Sequence, residues 1–239
     1  MKEKLYTIPV NDAYQADCEC PLCSMYHNLE ESAIDFVMGP SYMEDDIREV
    51  TNKIGFCQTH VQKLYKNQNR LGLALMLHTH MQKVTKDLEK LSKGSLSTGG
   101  LFKKKSESNG VVSYVKSVTN RCYVCERIDN TFERYVITIL YLYRTDEDFR
   151  KIFRNAKGVC MTHYATLTEY APKELSGSTL KDFINDLNQT FLNNMSRIQD
   201  DLEWFIDKFD YRNANEPWRN SKDALLRSVT KLNSTYIEE

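Results

Sequence analysis

The placement of cysteine and histidine constrains this chain more than any other feature. Cys20-Pro-Leu-Cys23 is followed after 33 residues by Cys57-Gln-Thr-His60. Cys122-Tyr-Val-Cys125 is followed after 34 residues by Cys160-Met-Thr-His163. The two sets are offset by 102 residues at the first pair and 103 at the second. Gly55 and Gly158, Leu64 and Leu167, and Glu44-Asp45 and Glu147-Asp148 keep the offset of 103. A fixed offset of this kind reads as tandem duplication of a unit of about 90 residues.

Each set supplies three thiolates and one imidazole. Zinc takes four such ligands in a tetrahedron, with Zn–S near ~2.3 Å. A two-residue gap lets one backbone turn present both side chains to one ion. Helical patterns begin just after the pairs, and a zinc ion with three thiolates and a neutral imidazole carries net negative charge. The free N–H groups and positive dipole ends of helix starts suit such an anion. The spacing therefore predicts two zinc ions per chain, with Cys20, Cys23, Cys57, His60, Cys122, Cys125, Cys160 and His163 as metal ligands. Pairing inside each unit is the simpler arrangement, the ion clamping two helix starts and closing the hairpin between them. Exchange of ligands between the sets is the alternative. A catalytic zinc keeps one position open for water. Here protein fills all four, which favours structural zinc.

Three rivals compete. An iron–sulfur cluster is held by cysteines, but each set contains a histidine and its pairs are far apart in sequence. A redox dithiol fits Cys-x-x-Cys and leaves the partnered Cys57-x-x-His60 and Cys160-x-x-His163 unexplained. Buried metal-free thiols are the third. Cys18, two residues before Cys20, reads as a spare thiol, with a substitute ligand or a redox trigger as the functional alternative. His27 is a candidate second partner of the metal site. His78 lies near an apolar stripe and reads as a core histidine. Glu30-Glu31 reads as a solvent-facing carboxylate pair.

The rest of the chain reads as all-α. Nine glycines and five prolines in 239 residues favour long helices over many strands and tight turns. Leu22, Tyr26, Leu29, Ala33 and Phe36 keep helical spacing, as do Ile47, Val50 and Ile54. Leu77, Met81, Val84, Leu88 and Leu91 predict a long amphipathic helix. Phe132, Val136, Ile139 and Tyr143 give one face of the second unit, and Phe149, Ile152 and Phe153 another. The longest stripe runs from Leu180 through Leu187, Phe191, Ile198 and Phe205 to Phe209. Leu225, Val229 and Leu232 predict a last helix, with Ser221 as its N-cap. The expected organisation is a first helical unit over 1–91, a Ser/Gly/Lys linker over 92–113, a second unit over 114–211 and a helical tail over 212–239. Lys103, Lys104 and Lys105 in the linker read as a solvated charge run. Tyr14, Trp218 and the turn Asn220-Ser221-Lys222-Asp223 are candidates for a contact surface.

Charge and composition narrow the function. Thirty-two basic residues face 33 acidic ones, net −1, which disfavours nucleic acid as a partner. The N-terminus has no apolar core of a secretory signal. The most apolar uncharged stretch, Tyr135–Tyr143, is nine residues long. A membrane span needs roughly 20. The expectation is a cytoplasmic protein without membrane insertion, whose thiols stay reduced or bind metal. His-Glu-x-x-His, Walker A, Gly-x-Gly-x-x-Gly and Gly-x-Ser-x-Gly motifs do not occur. Cys20-Pro-Leu-Cys23 lacks the upstream His-x-Glu of nucleotide deaminases.

Several motifs carry a resemblance. Cys20-Pro-Leu-Cys23, Gly55-Phe-Cys57-x-x-His60, Asn69-Arg70-Leu71, Leu77-His78-Thr79-His80, Gly158-Val-Cys160, Phe209-Asp210-Tyr211-Arg212 and Pro217-Trp218-x-Asn220-Ser221-Lys222-Asp223-Ala224 resemble a bacterial family of unknown function. Its members are often labelled ABC-transporter substrate-binding proteins. The resemblance covers nearly the whole chain, supports the architecture and adds no substrate. The reading is a zinc-binding interaction or scaffold module, with an unknown protein partner or a second copy of the chain as its contact and no catalytic residue. The alternatives are a redox- or zinc-responsive thiol switch and an enzyme with a pocket between the two units.

Overall fold

The computed structural model describes residues 4–96 and 110–235. Most of the expected linker, including Lys103, Lys104 and Lys105, lies outside the described residues. Eleven α-helices lie among those described: α1 (Lys4–Gln15), α2 (Pro21–Met38), α3 (Asp45–Ile54), α4 (Gln58–Lys66), α5 (Arg70–Leu96), α6 (Gly110–Thr119), α7 (Tyr123–Thr145), α8 (Glu147–Asn155), α9 (Met161–Glu174), α10 (Gly177–Asp207) and α11 (Ala224–Asn233). Short 3-10 turns occupy Pro40–Met43 and Tyr211–Asn213, and the described residues contain no strand. No described helix is long and apolar enough to cross a membrane.

Local chemistry explains the helix ends. Asp146 caps α8, its Oδ1 accepting from the N–H groups of Asp148 at 2.9 Å and Phe149 at 3.1 Å. Glu147 and Asp148 then sit at the positive end of that helix and Arg154 at its negative end. Gly55 closes α3 at φ 64°, a backbone region open chiefly to glycine. The last helix differs from expectation. Ser221 is fully buried, and its hydroxyl donates to the Trp218 carbonyl at 2.7 Å. Asp223 holds the N-cap position of α11.

The chain divides into two compact units, Met1–Asn28 with Thr131–Glu239, and Leu29–Asn130. In the first, α7, α8 and α10 supply a core of packed rings. Tyr143 meets Phe183 edge-on at 4.9 Å and Phe153 at 5.5 Å between centroids. Tyr14 packs on Phe149 at 5.2 Å and is buried, so it belongs to the core and not to a contact surface. The Tyr143 hydroxyl donates to Asp186 Oδ2 at 2.5 Å, which satisfies the one polar atom of an otherwise apolar ring. Cys20, Cys23 and Cys160 lie within this core cluster.

In the second unit Ala33, Val37, Met38, Ile54, Leu64, Leu73, Met76, Val124 and Ile128 are buried. Arg48 of α3 donates to the Leu75 carbonyl at 3.2 Å and to Thr79 Oγ1 at 3.0 Å on α5. Thr79 donates in turn to Asn52 Oδ1 at 2.6 Å. Of the stripe expected on α5, Leu77, Val84, Leu88 and Leu91 are half-buried and Met81 is 67% exposed, while Leu73 and Met76 are the buried hydrophobic side chains of the helix. His78 is exposed, and His80 is the half-buried histidine, its Nδ1 2.8 Å from the Asn52 carbonyl. The stripe expected on α11 is also displaced. Leu225 and Leu232 are exposed, and the helix buries Ala224, Arg227, Ser228 and Lys231.

Candidate metal centres

The eight sequence-selected ligands converge in two groups of four, with a pairing that crosses the sequence sets. Cys20 and Cys23 meet Cys160 and His163, and Cys57 and His60 meet Cys122 and Cys125. The expected closure of one hairpin by one ion is thus replaced by contact between motifs far apart in sequence. Cys23 and Cys160 are 137 residues apart, and Cys57 and Cys125 are 68 apart. In each group all four ligand atoms lie within 4.8 Å of one another.

Helix starts build both groups. Cys57 and Cys160 are the N-cap residues of α4 and α9. Cys20 and Cys122 directly precede α2 and α7. The second member of each motif then falls in the first helical turn, where N–H groups lack helical acceptors. One of them, the Cys23 N–H, points at Cys20 Sγ at 3.4 Å. Each group therefore gathers two helix N-termini around its sulfurs. That field favours thiolates and a net negative site.

The distances test the fit to an ion. A tetrahedral zinc with bonds near ~2.3 Å to sulfur and ~2.05 Å to nitrogen sets ligand edges of about 3.8 Å for S–S and about 3.6 Å for S–N. In the first group Cys23 Sγ and Cys160 Sγ are 3.6 Å apart. His163 Nδ1 lies 3.4, 3.5 and 3.2 Å from the sulfurs of Cys20, Cys23 and Cys160. In the second group the Cys57–Cys125 sulfurs are 3.9 Å apart, and His60 Nδ1 lies 3.2, 3.3 and 3.3 Å from those of Cys57, Cys122 and Cys125. A disulfide needs about 2.05 Å. All seven cysteines are free. Both groups could hold a metal ion.

Titration in the first group states the same problem electrostatically. Burial, with Cys160 beside it, pushes the Cys20 thiol up to about 12. Hydrogen bonding to Cys160 and Cys20, with burial, pushes Cys23 up as well. Cys160, accepting from both, is pushed down. A cation binding there would have to displace the protons that burial and mutual hydrogen bonding favour on Cys20 and Cys23. In the second group burial lowers the pKa of His60 against the pull of Glu30, which keeps the imidazole neutral as a ligand requires.

The surroundings of the two groups differ. His60 Nε2 donates to Glu30 Oε1 at 3.0 Å, and Lys63 Nζ reaches Glu30 Oε2 at 2.5 Å. This carboxylate fixes the ring so that Nδ1 faces the sulfurs. Glu30 is 8% exposed, against the expectation of a solvent-facing pair, while Glu31 is exposed. The residue 102 positions on is Phe132, and its ring packs against the His163 ring at 5.2 Å. His27 is half-buried on the same helix as Glu30, and it is Glu30 that meets His60. All four residues of the first group are buried, whereas Cys57 and Cys125 of the second are half-buried. Burial raises the Cys18 thiol, which points at the Ala13 carbonyl at 3.7 Å and is no ready thiolate.

The chain belongs to the family of unknown function DUF6062, whose model matches residues 1–239. This bears out the resemblance carried by the motifs and attaches no activity to them. No curated protein and no solved structure matches the chain.

Proposed function

We propose that the protein is a two-zinc scaffold, each group of three cysteines and one histidine holding one structural ion, and that it acts in the cytoplasm by presenting a folded surface to a protein partner. The observation that carries the reading is the closure of both groups. Four protein atoms lie within 4.8 Å of one another in each, with one S–S distance of 3.6 or 3.9 Å near a tetrahedral edge, a set that would fill all four positions of one ion and leave none for a reacting water. Zinc suits this donor set of soft sulfurs and one imidazole. A multinuclear iron–sulfur cluster would interpose several ions and spread its ligand sulfurs farther apart. When bound, zinc supplies a fixed cross-link between helix starts and neutralises thiolate charge.

A depression of about 220 Å³ beside α8 and α10 is lined by Arg154, Asp186, Gln189, Thr190, Asn193 and Asn194. Its carboxylate accepts from Tyr143 and, at 2.6 Å, from Arg154 Nε, which suits a structural ion pair better than acid–base chemistry. Elemental analysis of protein purified without a metal-binding tag tests the proposal. About two zinc per chain is expected. Iron, or no metal with free thiols, overturns it.

A further inference from the structure

We infer that α11 locks the first metal centre, with Ser234 and Lys231 as positioning residues for its ligands, so that the second centre is the one that exchanges its ion. This rests on the zinc reading above and concerns how the two centres differ.

Ser234 carries the argument. It follows the last residue of α11 and adopts φ 55° and ψ 29°, with its N–H donating to the Thr230 carbonyl at 3.0 Å. Glycine normally takes this left-handed capping position, because a side chain is strained there. Serine and Arg219 are the non-glycine residues with positive φ among those described. Such strain persists where something else holds the residue in place. Here the Ser234 oxygen lies 3.0 Å from Cys160 Sγ and 2.7 Å from Thr162 Oγ1. With a thiolate as acceptor, the Ser234 hydroxyl donates to sulfur and Thr162 donates to Ser234. A hydrogen-bonded thiolate is less basic and less nucleophilic.

Lys231, one turn earlier, is 1% exposed. Its ammonium donates to the Glu19 carbonyl at 2.5 Å and to the Lys157 carbonyl. Those carbonyls belong to the two segments that present Cys20 and Cys160. One buried cation thus ties both ligand loops together and sets a positive charge beside a net negative centre. Glu19 is itself paired with Arg197 at 2.6 Å, so it does not cancel the lysine alone. The helix is held down by Arg227, which donates to Asp201 at 2.8 Å on α10. This accounts for the polar face that α11 buries. The second centre has a different setting: two half-buried cysteines, and an outer carboxylate, Glu30, shared between His60 and Lys63.

The test is competitive alkylation of zinc-loaded protein by iodoacetamide, read cysteine by cysteine in peptides, with zinc counted in the same sample. In wild type, Cys57, Cys122 and Cys125 react together, and at least about tenfold faster than Cys20, Cys23 and Cys160. The decisive variant is Ser234→Gly. It removes the hydroxyl while giving the backbone its preferred residue, so a purely structural role predicts an unchanged or better protected centre. The lock predicts the opposite: Cys160 and its group react faster, and the ratio falls toward one. After replacement of zinc by cobalt, the thiolate-to-cobalt charge-transfer band should move to lower energy in Ser234→Gly. Lys231→Met should lower the ratio further where it folds, and Ser234→Gly decides alone where it does not. Two zinc per chain with equal rates in wild type, or a ratio unchanged by Ser234→Gly, overturns the lock and leaves the zinc reading standing. No bound zinc overturns both.

Discussion

Pairs of ligand substitutions should report which cysteines share an ion. Replacing Cys20 and Cys160 together removes two ligands of one group and should leave about one zinc per chain. Replacing Cys20 and Cys57 together breaks both groups and should leave none. In-unit pairing makes the reverse forecast for both pairs. The energetic signature is non-additivity. A structural zinc in a small module carries about 10–16 kcal/mol of apparent binding free energy. Once Cys20 is gone, loss of Cys160 from the same broken group costs little more. The two centres should also be coupled through the chain, because the 68-residue span from Cys57 to Cys125 nests within the 137-residue span from Cys23 to Cys160. With the inner centre formed, the open chain spanned by the outer one falls by about half, which lowers its closure cost by about 0.6 kcal/mol. That is about a threefold gain in zinc affinity at the first group when the second is filled. Chelator competition on wild type and on Cys57→Ala measures the coupling, and elemental analysis counts the ions. One zinc in Cys20→Ala/Cys57→Ala, or none in Cys20→Ala/Cys160→Ala, would refute the crossed pairing.

Glu30→Gln weakens the acceptor that orients His60, and zinc affinity at the second group should fall about 10–100-fold with the first unchanged, as read by chelator competition. Gly55→Ala places a Cβ 2.8 Å from His80 Nε2 at φ 64° and should cost about 2–3 kcal/mol in denaturant melts. His80→Ala in the same chain should recover about 1 kcal/mol of that, and strict additivity would refute the contact. Tyr143→Phe removes the donor to Asp186 and should cost about 1–2 kcal/mol, and no change in the melt would refute a role for that bond in the first unit.

Much of the helical pattern can be read from apolar spacing because burial and period coincide there. Val136, Ile139 and Tyr143 on α7 and Phe149 and Phe153 on α8 are buried as their spacing predicts. Where a helix packs through polar side chains the same rule points to the wrong face. On α5, Arg48, Asn52 and Thr79 supply part of the contact, and of the apolar stripe Met81 alone is exposed while Leu77, Val84, Leu88 and Leu91 are half-buried. On α11, Arg227 and Lys231 are buried because carbonyls and carboxylates meet them, a compensation invisible in a hydrophobicity pattern. The eight residues that gather in the two groups were legible from residue type and spacing. The residues around them, Glu30, Lys231 and Ser234, were not, since each lies far in sequence from the group it borders.

In both repeats of the motif a long helix is followed by a much shorter one. The outgoing helix α2 has 18 residues and the returning α3 has 10. At 1.5 Å per residue, α2 is about 27 Å long and α3 about 15 Å, a difference of about 12 Å, or roughly eight residues of helix. The Cys57–His60 turn should therefore arrive part-way up α2, and His60 meets Glu30, nine residues beyond Pro21. The 23-residue α7 and 9-residue α8 differ by more, about 21 Å or roughly 14 residues of helix. His163 nevertheless meets Phe132, nine residues beyond Tyr123, so length alone does not set the contact point. In both repeats the Cys-x-x-His motif thus meets the preceding long helix nine residues from its first residue. The equivalent contact points, 30 and 132, are then free to differ. A glutamate at one and a phenylalanine at the other give one histidine a charged acceptor and the other an apolar ring. Exchanging them, as Glu30→Phe with Phe132→Glu, should move the carboxylate-supported histidine from the second centre to the first. Nitrogen-15 NMR of the two imidazole Nε2 atoms would register that move, and two unshifted resonances would refute it.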